Sequence, residues 1–271
     1  MRRSTTLTLN QALTSWQALL ADAEAGRVLD YAREIFGARH IVDEQAALTR
    51  ALIDPARNGE DRAALAKKVF SSATTSPVVD LVAGLVRGKI ASPKDLSEAL
   101  EYAGTETILI SAQQAGRLDK VEEELYRAVM LLSDESRLRA VLGDAGIDAD
   151  SRIALSHKIF AELTDESRAL IDRALEITDN HNLIALLRDL IVRCGERAEH
   201  LVGIVTVASP LSRDQEERLT RILEKKYDRP VELHVGVDPA VIGGMHIRVG
   251  SDVIDSTLAS RINHLKSVFS D

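Results

Sequence analysis

One cysteine, Cys194, excludes an intrachain disulfide and leaves nothing for a multi-cysteine zinc site, so a reducing compartment fits the chain. Aromatic residues are scarce, with 4 Phe, 4 Tyr and 1 Trp among 271 residues. That scarcity argues against an aromatic-rich β-sandwich and for helices packed through Ala and Leu. An excess of cations is lacking too: 34 Lys and Arg stand against 42 Asp and Glu, a net charge of −8. Sequence-independent binding of nucleic acid or anionic lipid is therefore not expected. The opening residues Met1–Ser4 begin no apolar signal stretch, and no window approaches the ~18 apolar residues of a membrane helix. A soluble chain without direct membrane insertion is expected, one that works beside a membrane if it meets one at all.

What is present is ordinary for a folded protein, with 45% hydrophobic and 28% charged residues. At ~150 residues per domain the length gives roughly two domains, with three small ones allowed. Over residues 118–132 the apolar positions Leu118, Val121, Leu125, Val129 and Leu132 recur at steps of three and four, one buried helical face, with Glu122, Glu123 and Glu124 on the wet side. Helices are expected to follow at 137–142, 151–163, 165–177 and 183–194, with Thr164 and Asn182 as N-caps. All six prolines fall at element starts or in connections. Trp16, with Leu13, Leu19 and Leu20 at helical spacing, reads as a core anchor.

An internal repeat stands out at an offset of 90 residues. Ala25-Gly26-Arg27 returns as Ala115-Gly116-Arg117, Leu48 and Leu52 as Leu138 and Leu142, and Arg62 and Leu65 as Arg152 and Leu155. Lys68, Val69 and Phe70 return as Lys158, Ile159 and Phe160, and Leu85, Leu96 and Leu100 as Leu175, Leu186 and Leu190, without gaps. Residues 12–104 and 102–194 are therefore expected to form two similar helical bundles.

After Glu199 the texture changes to short β-branched runs. Residues 201–208 (LVGIVTVA) suit a central buried strand. A helix is expected at 213–227 with apolar Leu219, Ile222 and Leu223, its Lys225-Lys226 pair complementing the helix dipole. Val231, Leu233 and Val235 alternate with Glu232 and His234, and Met245, Ile247 and Val249 with His246 and Arg248, two strands with one wet face each. A short strand at 253–255 and a last helix at 256–269 complete the expectation. The fold class is mainly α with a small α+β C-terminal domain: two tandem helical bundles, then a short-stranded sheet with two helices. The domains fall at 1–104, 105–199 and 200–271.

No catalytic constellation is legible. The seven histidines show no HxxxH or HExxH spacing, so a metal site would need ligands gathered from separate parts of the chain, and none is expected. Cys194 near His200 reads as a small core residue. Gly243-Gly244 follows a turn rather than opening a helix, and both common phosphate-loop patterns are absent, so no cofactor is expected. The Glu122–Glu124 run reads as a solvated face.

The segment Asp238-Pro239-Ala240-Val241-Ile242-Gly243-Gly244-Met245-His246-Ile247-Arg248-Val249-Gly250-Ser251-Asp252-Val253-Ile254-Asp255 resembles the signature of the ATP synthase delta subunit family, called the oligomycin-sensitivity-conferring protein in mitochondria. That signature reads D-P-x-L-I-G-G, then I-R-V-G, then V-I-D and a short helix matched here by Arg261 and Ile262. The stretches 205–212 (VTVASPLS) and 223–226 (LEKK), and Gly116-Arg117-Leu118-Asp119, are similar to the family as well. The resemblance covers roughly residues 102–271. Val241 departs from the usual Leu, Ser256-Thr257 from Gly-Ser, and about 90 extra residues precede the family-like part. The signature reads as structural first: adjacent glycines permit a positive φ, while Arg248 and Asp255 lie opposite a buried Ile247 and Val253.

The resemblance implies a non-catalytic connector of the peripheral stalk. Its helical domains would hold N-terminal segments of the ATP synthase alpha subunits, and its C-terminal domain, through the signature residues, the b subunit, on the cytoplasmic side of the bacterial cell membrane. An amphipathic helix laid in an apolar groove is the expected binding mode, with residues 102–194 the preferred place. A free-standing helical scaffold or adaptor for amphipathic peptides is the alternative, and a soluble enzyme a more distant one.

Overall fold

The computed structural model describes residues 1–178, 182–238, 241, 244–249 and 252–255. The chain divides into two compact units, Met1–Arg117 and Leu118–Asp271. The first unit is helical throughout: α1 (Arg3–Leu20), α2 (Ala25–Glu44), α3 (Ala46–Leu52), α4 (Gly59–Phe70), α5 (Ser76–Arg87) and α6 (Pro93–Gln114). The starts of α4, α5 and α6 are written in the sequence. The Asn58 side chain accepts from the Asp61 N–H and Ser92 from Asp95, while α5 and α6 each carry proline in the first turn. Trp16 is buried among Leu9, Leu13 and Leu20; its indole N–H donates to Thr107 Oγ1 at 2.8 Å and its ring meets Tyr31 edge-on. Leu19, expected in the same stripe, instead faces solvent. A Cβ on Gly104 would sit 2.3 Å from the Phe36 ring, so only glycine lets α2 and α6 approach this closely.

α6 closes with Gly116 at φ +62°, where the Arg117 N–H reaches back to the Ala112 carbonyl and the Gly116 N–H to Gln113. This left-handed cap ends the first unit. The expected division between residues 104 and 105 falls inside α6, whose hydrogen-bond ladder runs on to Gln114.

The second unit holds α7 (Leu118–Asp134), α8 (Ser136–Leu142), α9 (Ala149–Ile159), α10 (Asp165–Ile177), α11 (Leu183–Arg197), β1 (Leu201–Val207), α12 (Arg213–Tyr227), β2 (Val231–Val237), β3 (Met245–Val249) and β4 (Asp252–Asp255). Helix α9 stops at Ile159, short of residue 163, because Phe160 leaves helical geometry at ψ 58°. Thr164 caps α10 through its hydroxyl. Asn182 stands at the start of α11 but makes no capping bond; its side chain accepts from Thr178 Oγ1 instead. The chain is mainly α with a small α+β part at its C-terminal end. The helix expected at 256–269 lies outside the described residues.

Elements α2–α6 and α7–α11 recur in the same order. Helices α3 and α8 coincide residue for residue at the offset of 90, with Leu52 and Leu142 both buried and Leu48 and Leu138 both half-buried. The hydrogen bonding recurs too. Glu34 accepts from the N–H and hydroxyl of Thr75, at the start of α5, and Glu124 from the same groups of Thr164, at the start of α10. These caps lie 89 residues apart, so the copies are not free of gaps. In α5 and α10 the buried positions match at that shorter offset: Leu81, Val82, Leu85 and Val86 correspond to Leu170, Ile171, Ala174 and Leu175. In the last helix of each copy the match moves to 91, with Leu96, Ala99, Leu100, Ala103 and Gly104 corresponding to Leu187, Leu190, Ile191, Cys194 and Gly195. The expected pairings of Leu85 with Leu175, Leu96 with Leu186 and Leu100 with Leu190 are thus each one residue out of register. Phe70 is fully buried, whereas Phe160 is half-buried at the end of the shortened α9.

The sheet has the order β2-β1-β3-β4. Strands β1 and β2 are parallel, joined across by α12, and β3 and β4 add as antiparallel neighbours. Helix α12 opens with a capping box between Ser212 and Gln215 and ends at Asp228 in the left-handed region. Val205, Val207, Leu223, Val231, Ile247 and Val249 form the core beneath it. Ile222, expected on the same face, is exposed. Helices α7 and α11 reach this sheet at glycines: a Cβ on Gly236 would meet Met130 at 3.0 Å, and one on Gly195 would meet Val202 at 2.4 Å.

Candidate functional site

The signature occupies the outer half of the sheet. The Asp238 N–H donates to the Val207 carbonyl, and the Val241 N–H turns back onto Asp238. Gly244 adopts φ +81°, a conformation that L side chains rarely enter. Ile247 is buried between its partners Val205 and Ile254, and Val249 is buried opposite Gly203 and Asp252. Arg248 is exposed. Val253, expected beneath the sheet, is 52% exposed because it pairs with Arg248 and shares its outward face; Ile254 packs inward instead. Asp255 pairs with His246 at the end of β4. Pro239, Ile242, Gly243, Gly250 and Arg261 lie outside the described residues. The described part of the signature is an edge ribbon with one buried and one outward face.

A groove of about 190 Å³ runs between α1 and α5 in the first unit, lined by Ala12, Ser15, Trp16, Leu19, Leu81 and Gly84, with Asp80 and Arg87 at its rim. Small residues keep it open, since a Cβ on Gly84 would meet nothing within 4 Å. Its lining is apolar with a charged border, the chemistry that accepts the apolar face of a helix.

The second unit contains a buried polar cluster that corrects two expectations. Glu122 and Glu124 are 1% and 3% exposed, not on a wet face. His234, expected on the wet side of β2, is 8% exposed and stacks on the Tyr126 ring at 4.4 Å. Its Nε2 lies 2.6 Å from Glu122 Oε1, while His200 Nε2 lies 3.0 Å from Glu122 Oε2 and 3.4 Å from Glu232 Oε2. Burial, and then the Glu122 charge, push the Glu232 carboxyl above its ordinary value against the pull of His234 and His200. The clue in the sequence was position: Glu122 follows Leu118 by four and precedes Leu125 by three, on the flank of the apolar stripe. Glu124 is turned inward by Thr164, a partner that only the bundle brings near.

Cys194 is fully buried in α11 and His157 pairs with Asp172 at 2.9 Å. The described residues bring together no activated nucleophile with a base and an oxyanion donor, and no described helix is long and apolar enough to cross a membrane. Helical bundles followed by a small mixed sheet with an edge ribbon define the class of protein: mainly α with a small α+β part at its C-terminal end. The profile described as ATP synthase delta (OSCP) subunit matches residues 99–269. An ATP synthase subunit delta from Beutenbergia cavernae is 34% identical over 268 residues, 98% of each chain. Those from Streptomyces avermitilis and Salinispora arenicola are 36% and 33% identical, covering 90% and 92% of this chain and 89% and 92% of their own. The chain belongs to the ATP synthase delta (OSCP) subunit family. It is a structural subunit of the ATP synthase, serving ATP synthesis without being catalytic by itself. The Beutenbergia relative matches along nearly its whole length, so the first helical copy is shared with at least that long form.

Proposed function

We propose that this subunit is the stationary link of the peripheral stalk, joining the alpha/beta head to the membrane-anchored b subunit of an F-type proton-translocating ATP synthase. The observation that carries the reading is a family match spanning both the second helical copy and the sheet, the two parts a connector needs. The first unit, Met1–Arg117, and the helices α7–α11 of the second serve as two helical modules that take N-terminal segments of the alpha subunits, and 200–271 as the module that takes the b subunit. The groove between α1 and α5 supports an amphipathic helix as one partner, and adds the first copy to the expected place in the second. The edge ribbon, with exposed Val253 and the signature residues around it, supports the b-subunit contact. The subunit sits at the cytoplasmic side of the bacterial cell membrane without entering it.

A link of this kind does no chemistry; it resists torque through protein contacts while hydrolysis or synthesis proceeds elsewhere. Membranes stripped of the subunit should lose ATP-driven proton pumping, while detached heads keep hydrolysing ATP. Adding the full chain back should restore pumping, and the Leu19→Asp chain, altered at an exposed groove position, should restore it less well. Full pumping in membranes shown to lack the subunit would overturn the proposal.

A further inference from the structure

Three donor groups converge from elements far apart in the chain: Glu122 on α7, His200 just before β1 and Glu232 on β2. One ligating atom of each lies within 4.8 Å of the others. A tetrahedral zinc ion with bonds of ~2.0–2.1 Å to nitrogen and oxygen has ligand-to-ligand edges of roughly 3.3 Å. The His200–Glu122 and His200–Glu232 separations, 3.0 and 3.4 Å, bracket that edge. Two carboxylates facing one neutral imidazole balance a divalent charge, and the imidazole favours zinc-class cations over magnesium or calcium.

The surroundings match what a bound ion needs. His234 holds the second oxygen of Glu122 at 2.6 Å and is itself fixed against Tyr126, the outer partner that a ligating carboxylate requires. The Glu122 side chain is 2% exposed and that of Glu232 47%, so the site is closed on the α7 side and open to solvent on the β2 side. That opening is both an entry path and a fourth coordination position for water.

We propose that Glu122, His200 and Glu232 bind one zinc-class divalent cation, with His234 as an outer partner, and that the ion clamps α7 to β1 and β2. Without the ion a proton on His200 Nε2 bridges the same groups; with the ion bound, Nε2 presents its lone pair to the metal and the neutral ring carries its proton on Nδ1 instead. This inference stands apart from the stalk reading, since it concerns cohesion inside the second unit.

The test is calorimetric titration of zinc chloride into the untagged, chelator-stripped full chain, with cobalt(II) absorption as a reporter of coordination. One equivalent should bind saturably, and cobalt should give the intense visible bands of a tetrahedral site. Glu232→Gln and His200→Gln should each weaken binding at least tenfold while leaving the metal-free circular dichroism unchanged, and His234→Gln should weaken it roughly tenfold. His157→Gln, at the surface pair with Asp172, should leave it unchanged. No saturable binding to the parent chain, equal binding in the Glu232 and His200 variants, or loss of binding on changing His157 would overturn the proposal. Glu232 is exposed, so its variant keeps the test open even if the His200 variant fails to fold.

Discussion

Arg62 and Arg152 occupy the same place in the two helical copies, and both are buried, at 9% and 4% exposure. They differ in what they hold. The Arg62 guanidinium donates to five backbone carbonyls: Val86 at 2.8 Å, Gly88 at 3.0, Asp54 and Arg87 at 3.1, and Arg57 at 3.4. Three of these belong to the end of α5 and the residue after it, where carbonyls have no partner within the helix. Arg152, among the described residues, donates to Ile147 and Leu142 at 3.1 and 3.2 Å. Replacing either by Met keeps most of the apolar stem and removes the donors. At a net ~0.5–1 kcal/mol per bond once water re-enters, Arg62→Met should cost about 3–5 kcal/mol and Arg152→Met about 1–2. Trp16 is the sole tryptophan and lies in the core of the first unit, so its fluorescence in urea reads Arg62→Met without interference. Hydrogen exchange of the α8 and α9 amides reads Arg152→Met. A cost below ~1 kcal/mol for Arg62→Met, or equal costs for the two, would refute the argument from carbonyl satisfaction.

Burial pushes the Glu124 carboxyl up, but hydrogen bonds from Ser167 and Thr164, with the Lys120 charge, outweigh it and hold it below the ordinary 4.5. Its contribution is therefore present above pH ~4.5 and is lost as pH falls through the lowered value; Glu124→Gln should narrow the gap to the parent over that window in acid-unfolding curves. Gly244→Val places a branched side chain at φ +81° and should destabilise the second unit by about 1–3 kcal/mol, read as a lower denaturation midpoint. The neighbouring Gly243→Val is expected to act in the same direction. Phe70→Ala should cost about 3–5 kcal/mol and Phe160→Ala clearly less, since only the first ring is fully buried.

Read along the chain, the residues alone place the helices between 118 and 227 and show that the helical set is used twice. Those properties are local. Asn58, Ser92, Thr164 and Ser212 cap the helices they precede, and apolar residues at steps of three and four mark the faces that must leave water. The signature around Arg248 also identified the family before any coordinates, because that combination of glycines, charges and β-branched residues is specific.

Tertiary structure decided the fate of polar side chains. Glu122 and Glu124 look like solvent-facing neighbours of Glu123, yet Thr164, His200 and His234 arrive from 40, 78 and 112 residues away to satisfy them. A carboxylate can be buried when such partners exist, and nothing local announces partners so distant. Register followed the same logic. A fixed offset of 90 describes α3 and α8, but the buried positions align at 89 in α5 and α10 and at 91 in α6 and α11, a shift that shows only once burial is known. Val253 points outward for a related reason: its face is fixed by pairing with Arg248, a choice made between strands and invisible along either one.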